Sequence, residues 1–236
     1  LGFGFYYAFG LDGIIYGLAA SYVPFTIIVY KICRESEINF SLLKTRSGFI
    51  TNNYLESTIG GVKGEVDKLI IMPMLGFAIL GNYALAMQFY AVLMIFSSVV
   101  FRYLLPQDST GILNTKLKNN TIFISIGIAA LGITLSPLII PQFFPQYEDA
   151  VIAVQILSIS VVPATIGYIY VSRFLGLEKS RFVLIGRIIA LSTLVLGMAV
   201  LPIYFGIVGA ASAFVLSSCT QTIFFILAKK KLKAKG

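Results

Sequence analysis

The sequence predicts an all-α integral membrane protein with seven transmembrane helices, and three observations carry that expectation. Its 236 residues are 58% hydrophobic and only 12% charged, against about a quarter charged in soluble domains. Its apolar residues gather in runs of about 20, the length a helix needs to cross a bilayer while satisfying its own backbone. Its basic residues collect at every second connection between those runs, as the positive-inside rule requires.

Span one covers 3–30, contains Pro24 and ends at Lys31 and Arg34. Span two, 48–74, follows Lys44 and Arg46 and carries Pro73 near its far end. The connection LGFAILGN holds no Lys or Arg and leads into span three, 78–102, which ends at Arg102. Lys116 and Lys118 precede span four, 120–141. The stretch PQFFPQYED, again without a basic residue, leads to span five, 149–172, which contains Pro163 and is followed by Arg173, Lys179 and Arg181. Span six, 182–202, joins span seven, 205–228, through LPIYFG; the small residues of GIVGAASA in span seven suit close helix approach. The tail carries Lys229, Lys230, Lys231, Lys233 and Lys235. These connections hold 15 of the 18 basic residues. They place the first residue outside and the C-terminus in the cytoplasm, in a multi-pass protein of the cell membrane.

The same distribution argues against nucleic acid as the partner of a +8 chain, because the charge sits at helix ends. Cys33 and Cys219 are too far apart in sequence to suggest a disulfide framework, and the absence of His removes most zinc, haem and triad chemistry. No catalytic residue, metal or cofactor is expected. The chain begins inside an apolar run without Met or a signal peptide, and the expectation is a fragment whose N-terminal part is absent.

The stretch Asn52–Gly76 is the exception to apolar spans, with five charges among its 25 residues. On a helix, Asn52, Asn53, Glu56, Ser57, Gly60, Lys63, Gly64, Asp67 and Lys68 share a face, with Leu55, Ile59, Val62, Val66 and Leu69 opposite and Glu65 between. One charge at the bilayer centre costs about 2.5–3.5 kcal/mol, so the stripe is expected to line a wet cavity. Asp67 lies roughly 13 Å from the turn at Gly76, near the midplane of a core about 30 Å thick. Lys63 and Asp67 are spaced to form an intrahelical pair. Arg187, inside span six, either snorkels to the interface or lines the cavity.

Phe9-Gly10-Leu11-Asp12-Gly13 matches Phe205-Gly206-Ile207-Val208-Gly209 at an offset of 196, which also aligns Ser21 with Ser217 and Thr26 with Thr222. A parallel repeat of six helices follows, a known transporter design. In that reading 1–30 is the last helix of an N-terminal lobe, 31–47 a cytoplasmic linker, 48–228 a six-helix C-terminal lobe and 229–236 a basic tail.

Glu65-Val66-Asp67-Lys68-Leu69-Ile70-Ile71, Leu75-Gly76 and Gly81-Asn82-Tyr83-Ala84-Leu85-Ala86 together resemble a pattern in Wzx-type polysaccharide flippases. Tyr204–Ala211 is similar to that family's final helix, and Gly176–Arg181 to its short basic loop. The family belongs to the multidrug/oligosaccharidyl-lipid/polysaccharide superfamily of two-lobed transporters, usually of 12 to 14 helices. The resemblance implies a flippase that moves a polyprenyl-linked oligosaccharide to the outer leaflet. In such a protein Lys63 and Lys68, with Arg102 or Arg187, would meet the anionic headgroup. Asn52, Asn53 and Ser57 would meet sugar hydroxyls. Asp67 and Glu56 would pair with the lysines or bind a coupling Na+ or proton. The partners are then the lipid-linked sugar, membrane lipid and the absent lobe. A cation-coupled drug or metabolite antiporter of the same superfamily is the alternative. A membrane-embedded glycosyltransferase or polymerase fits less well, since the longest connection is about 17 residues and there is no His or Asp-x-Asp cluster. A retinal protein would need a lysine in the last span, which 205–228 lacks.

Overall fold

The computed structural model describes residues 2–35, 47–111 and 114–233. The expected linker over 31–47 lies largely outside the described residues, as do the last three residues of the tail over 229–236. The chain forms two compact units, Leu1–Arg46 and Ser47–Gly236. Among the described residues every regular element is helical.

In the first unit α1 runs over Gly2–Glu35 and is broken at Gly10, whose backbone is non-helical at φ 63°, ψ −143°. Its apolar side chains are largely exposed, among them Tyr7, Tyr22 and Phe25. The uninterrupted first span over 3–30 is therefore replaced by two helices that meet at Gly10. The residues on either side are apolar, so hydropathy alone carries no sign of the break.

The second unit contains α2 (Ser47–Ser109), α3 (Thr115–Phe143), a short 3-10 turn (Pro145–Tyr147), α4 (Ala150–Ile159), α5 (Val161–Gly176) and α6 (Ser180–Lys233). A straight 63-residue helix would be roughly 95 Å long at 1.5 Å per residue. It is not straight: Gly76 breaks α2 at φ 80°, ψ 176°, and Gly206 breaks α6 at φ 55°, ψ −131°. Backbone in this region is essentially reserved for glycine. Each label thus covers two helices.

The break at Gly206 repeats the one at Gly10 in detail. A Cβ on Gly209 would strike the carbonyl of Leu201, and a Cβ on Gly13 would strike the carbonyl of Phe5, in each case the residue eight positions back. Both pairs keep the 196-residue offset seen in the sequence.

The fifth span was expected as one helix over 149–172. It is two, α4 and α5, bent by 41°. Pro163 sits in the first turn of α5 and has no N–H to offer the carbonyl of Ile159, so the ladder is interrupted there. Ser160 closes α4 through its N–H to the Leu157 carbonyl at 2.9 Å.

Among the described residues four helices are long and apolar enough to cross a membrane, or five when the bent pair is taken as one span. In the second unit α2, α4 and α6 pack around Ile71, Tyr83, Leu157, Leu194 and Met198, all fully buried. Outward-facing Phe77, Phe123, Leu138 and Leu196 are each more than 60% exposed, the arrangement of a protein whose surroundings are hydrocarbon rather than water.

Candidate functional site

Most of the polar face of α2 turns inward between its start and the break, Ser57 and Gly64 being exposed. Asn52, Asn53, Glu56 and Gly60 are half-buried, Lys63 is 9% exposed and Asp67 is fully buried. These positions advance by three or four residues and so stay on one side of the helix. Leu55, Val62 and Leu69 on the other side are exposed.

The buried line opens into a cavity of about 420 Å³, within the range of small-molecule sites. Gly60, Lys63 and Gly64 form one wall. The helix after the Gly76 break contributes Met87, Tyr90 and Met94. Gly167 and Tyr168 come from α5. Arg187, Phe214, Ser218 and Gln221 come from the two halves of α6. Among the described residues two cations line this cavity and no carboxylate does.

Lys63 and Asp67 do not pair, although their spacing permits it. Lys63 Nζ lies 5.5 Å from the ring centroid of Phe214, a cation–π contact. No ion pair within 4.0 Å joins it to a described carboxylate. Asp67 turns the other way: Tyr83 Oη donates to its Oδ2 at 3.0 Å, and the backbone N–H of Lys68 donates to its Oδ1 at 2.8 Å. The tertiary partner decides because Gly76 folds the second helix of α2 back beside the first, which brings a phenol to the carboxylate.

Arg187 faces the cavity, and its Nε donates to Glu56 Oε1 at 2.7 Å. Glu56 therefore holds an arginine rather than a lysine. Asn52 Nδ2 reaches Ser180 Oγ at 3.4 Å, a long contact that links the two helix starts. Lys68 pairs with Glu65 at 2.9 Å on the exposed side, Ser57 is exposed, and Arg102 is exposed on the distal part of α2, outside the cavity lining. Of the nine sequence candidates, Lys63 and Arg187 line the cavity, while Asp67, Glu56 and Asn52 position the wall behind it.

Tyr83 entered the sequence reading only within the Gly81–Ala86 motif, without a role, and Tyr90, Tyr168, Phe214, Ser218 and Gln221 did not enter it. An aromatic or a single hydroxyl on an apolar helix reads equally as core or lipid-facing, and nothing in the local sequence distinguishes them. Two hydroxyl bonds fix the helices at the cavity's edge: Ser97 Oγ and Thr165 Oγ1 share a hydrogen bond of 2.6 Å, and Thr222 Oγ1 donates to the carbonyl of Pro163 at 2.6 Å. Among the described residues no three Cys, Asp or Glu side chains converge to hold a metal.

Comparison with known protein families, with curated proteins and with solved structures returned no match to this chain.

Proposed function

We propose that this chain is a multi-pass membrane transporter whose cavity takes an anionic, lipid-linked substrate. One observation carries the reading: Lys63 is 9% exposed, faces the cavity beside Arg187, and forms no ion pair within 4.0 Å with a described carboxylate. A buried ammonium without a counter-charge is costly. A phosphate or pyrophosphate in the cavity would supply that charge. The aromatic and methionine side chains around it suit an apolar tail, and the resemblance to Wzx-type flippases suggests that the headgroup also carries sugar. The substrate is then a polyprenyl-linked oligosaccharide moved from the cytoplasmic to the outer leaflet.

Seven crossings follow if the Gly76 and Gly206 breaks are membrane-surface turns and the α4–α5 pair is one bent span. The charge alternation then sets the C-terminus in the cytoplasm. The recurrence of the Gly10–Gly13 geometry at Gly206–Gly209 supports a parallel repeat, in which the end of α1 corresponds to the end of α6. Movement by alternating access is the mechanism such repeats permit. A coupling proton or Na+ would act at Asp67, which lies one turn beyond Lys63.

A drug or metabolite cation antiporter is the competing reading, and the cation-lined cavity disfavours it. Equilibrium binding of a radiolabelled short-chain prenyl pyrophosphate and of tetraphenylphosphonium separates the two. Saturable binding of the pyrophosphate, weakened about tenfold or more (about 1.4 kcal/mol) in Lys63→Gln, is the expected result. Saturable binding of the organic cation alone, indifferent to Lys63, would sink the proposal.

A further inference from the structure

The spacing along α2 gives Lys63 an acid one turn away, yet its ammonium faces a ring instead, with Nζ 5.5 Å from the centroid of Phe214. Asp67 is drawn off by Tyr83 Oη at 3.0 Å and by the Lys68 N–H at 2.8 Å. The choice of partner matters in a cavity that takes anions. A carboxylate would hold the ammonium on the same terms as an incoming phosphate oxygen. The face of a phenyl ring attracts a cation through its quadrupole, more weakly than an ionised oxygen that accepts a charge-assisted hydrogen bond. A ring can therefore keep a buried ammonium in place and still yield it to a phosphate.

The ring is itself held, and the lysine has room to leave it. Phe214 is 8% exposed and belongs to the same buried cluster as Ala210, Ala211 and Ala213. Tyr90 packs against it in a T-shaped pair, with centroids 5.1 Å apart and planes at 76°. Gly60 and Gly64 lie beside Lys63 in the cavity wall. A Cβ on either glycine would meet nothing within 4 Å, so open space surrounds this stretch of helix. Lys63 comes from the first half of α2 and Phe214 from the second half of α6. Their contact thus joins two helices across the cavity.

We propose that Phe214 is a positioning residue for Lys63: its ring holds the ammonium while the cavity is empty and releases it to the phosphate of the ligand. The release step rests on the anionic-substrate reading above, and the holding step does not. Loading then exchanges a contact between helices for one between a helix and the ligand. A ligand shifts a conformational equilibrium only through a differential interaction with its two states, and this exchange supplies one.

Fluorine NMR of the full chain in detergent tests the proposal, with para-fluorophenylalanine incorporated at position 214. Without ligand, Lys63→Gln should move the resonance. Lys68→Gln, which removes a cation outside the cavity lining, should leave it in place. Farnesyl pyrophosphate should move the wild-type resonance toward its Lys63→Gln position, and neutral farnesol should not. Rings of decreasing cation affinity at position 214, from phenylalanine to its para-fluoro and trifluoro forms, should bind farnesyl pyrophosphate progressively better, by about threefold or more over the series. The gain is expected because the ring competes with the ligand for Lys63.

A resonance indifferent to Lys63→Gln would overturn the holding step, with or without a ligand. An equal response to farnesol would overturn the release step, since filling of the cavity would then account for it. Affinity that falls along the fluorinated series would place Phe214 in contact with the ligand itself and overturn its positioning role. Absence of saturable farnesyl pyrophosphate binding would sink the substrate reading and the release step together, while the ligand-free comparison still decides the holding step. Should Lys63→Gln fail to insert, Lys63→Met carries the same comparison.

Discussion

The phenol of Tyr83 donates to Asp67 Oδ2 at 3.0 Å across the helix break at Gly76. Both side chains are fully buried, so the bond closes the hairpin between the two halves of α2 and satisfies a carboxylate deep in an apolar unit. It also directs Asp67 away from Lys63, and so leaves that lysine to the cavity.

Removing the phenol should expose how much this bond contributes. Tyr83→Phe leaves a buried carboxylate with the Lys68 N–H as its remaining donor, and a loss of about 1.5–3 kcal/mol is expected for a hydrogen bond to a charged group. Asp67→Asn keeps an acceptor oxygen and should cost less. Thermal unfolding in detergent of both single variants and the double variant gives the coupling energy. Additive losses would mean that the two residues stabilise the hairpin independently.

The glycine breaks make a second prediction. Gly206→Ala forces a Cβ into backbone geometry that costs of order 1–3 kcal/mol, and Gly209→Ala drives one into the Leu201 carbonyl. Both should lower the yield of folded protein in the membrane. Gly64→Ala, whose Cβ would meet nothing within 4 Å, should be tolerated. Equal stability of all three variants, measured by fluorescence-detected size exclusion, would contradict the turn geometry.

The inward stripe was legible in the sequence because lipid cannot solvate Glu56, Lys63 or Asp67, which leaves one side of the helix for them. The partners within the stripe were not. Four-residue spacing permits a Lys63–Asp67 pair, but Tyr83 and Phe214, 16 and 147 positions further along the chain than Asp67, decide where each side chain goes. The breaks at Gly76 and Gly206 fell in the short non-basic connections between expected spans. The break at Gly10 was hidden, because Phe9 and Leu11 continue the apolar run. The bend at Ser160 has a sequence cause in Pro163, yet a proline in a membrane helix does not announce the size of its kink.

Glu56 restrains Arg187, and its removal should separate stability from binding. The two side chains are 18% and 23% exposed, so the pair is shielded without being sealed off. Glu56→Gln should destabilise by about 1.5–3 kcal/mol while freeing a second cation toward the cavity. Affinity for the prenyl pyrophosphate should then rise, and rise most at low ionic strength. A fall in affinity would assign Glu56 to substrate contact rather than to restraint of Arg187.

The central claim is that Lys63 meets the anionic part of the substrate. The direct test reconstitutes the full chain in vesicles and follows flipping of a fluorescent prenyl pyrophosphoryl sugar by dithionite quenching. Lys63→Gln should slow flipping at least about tenfold (about 1.4 kcal/mol) with insertion unchanged, and Lys63→Arg should restore most of the rate because the charge is kept. Flipping by Lys63→Gln at the wild-type rate would contradict the account.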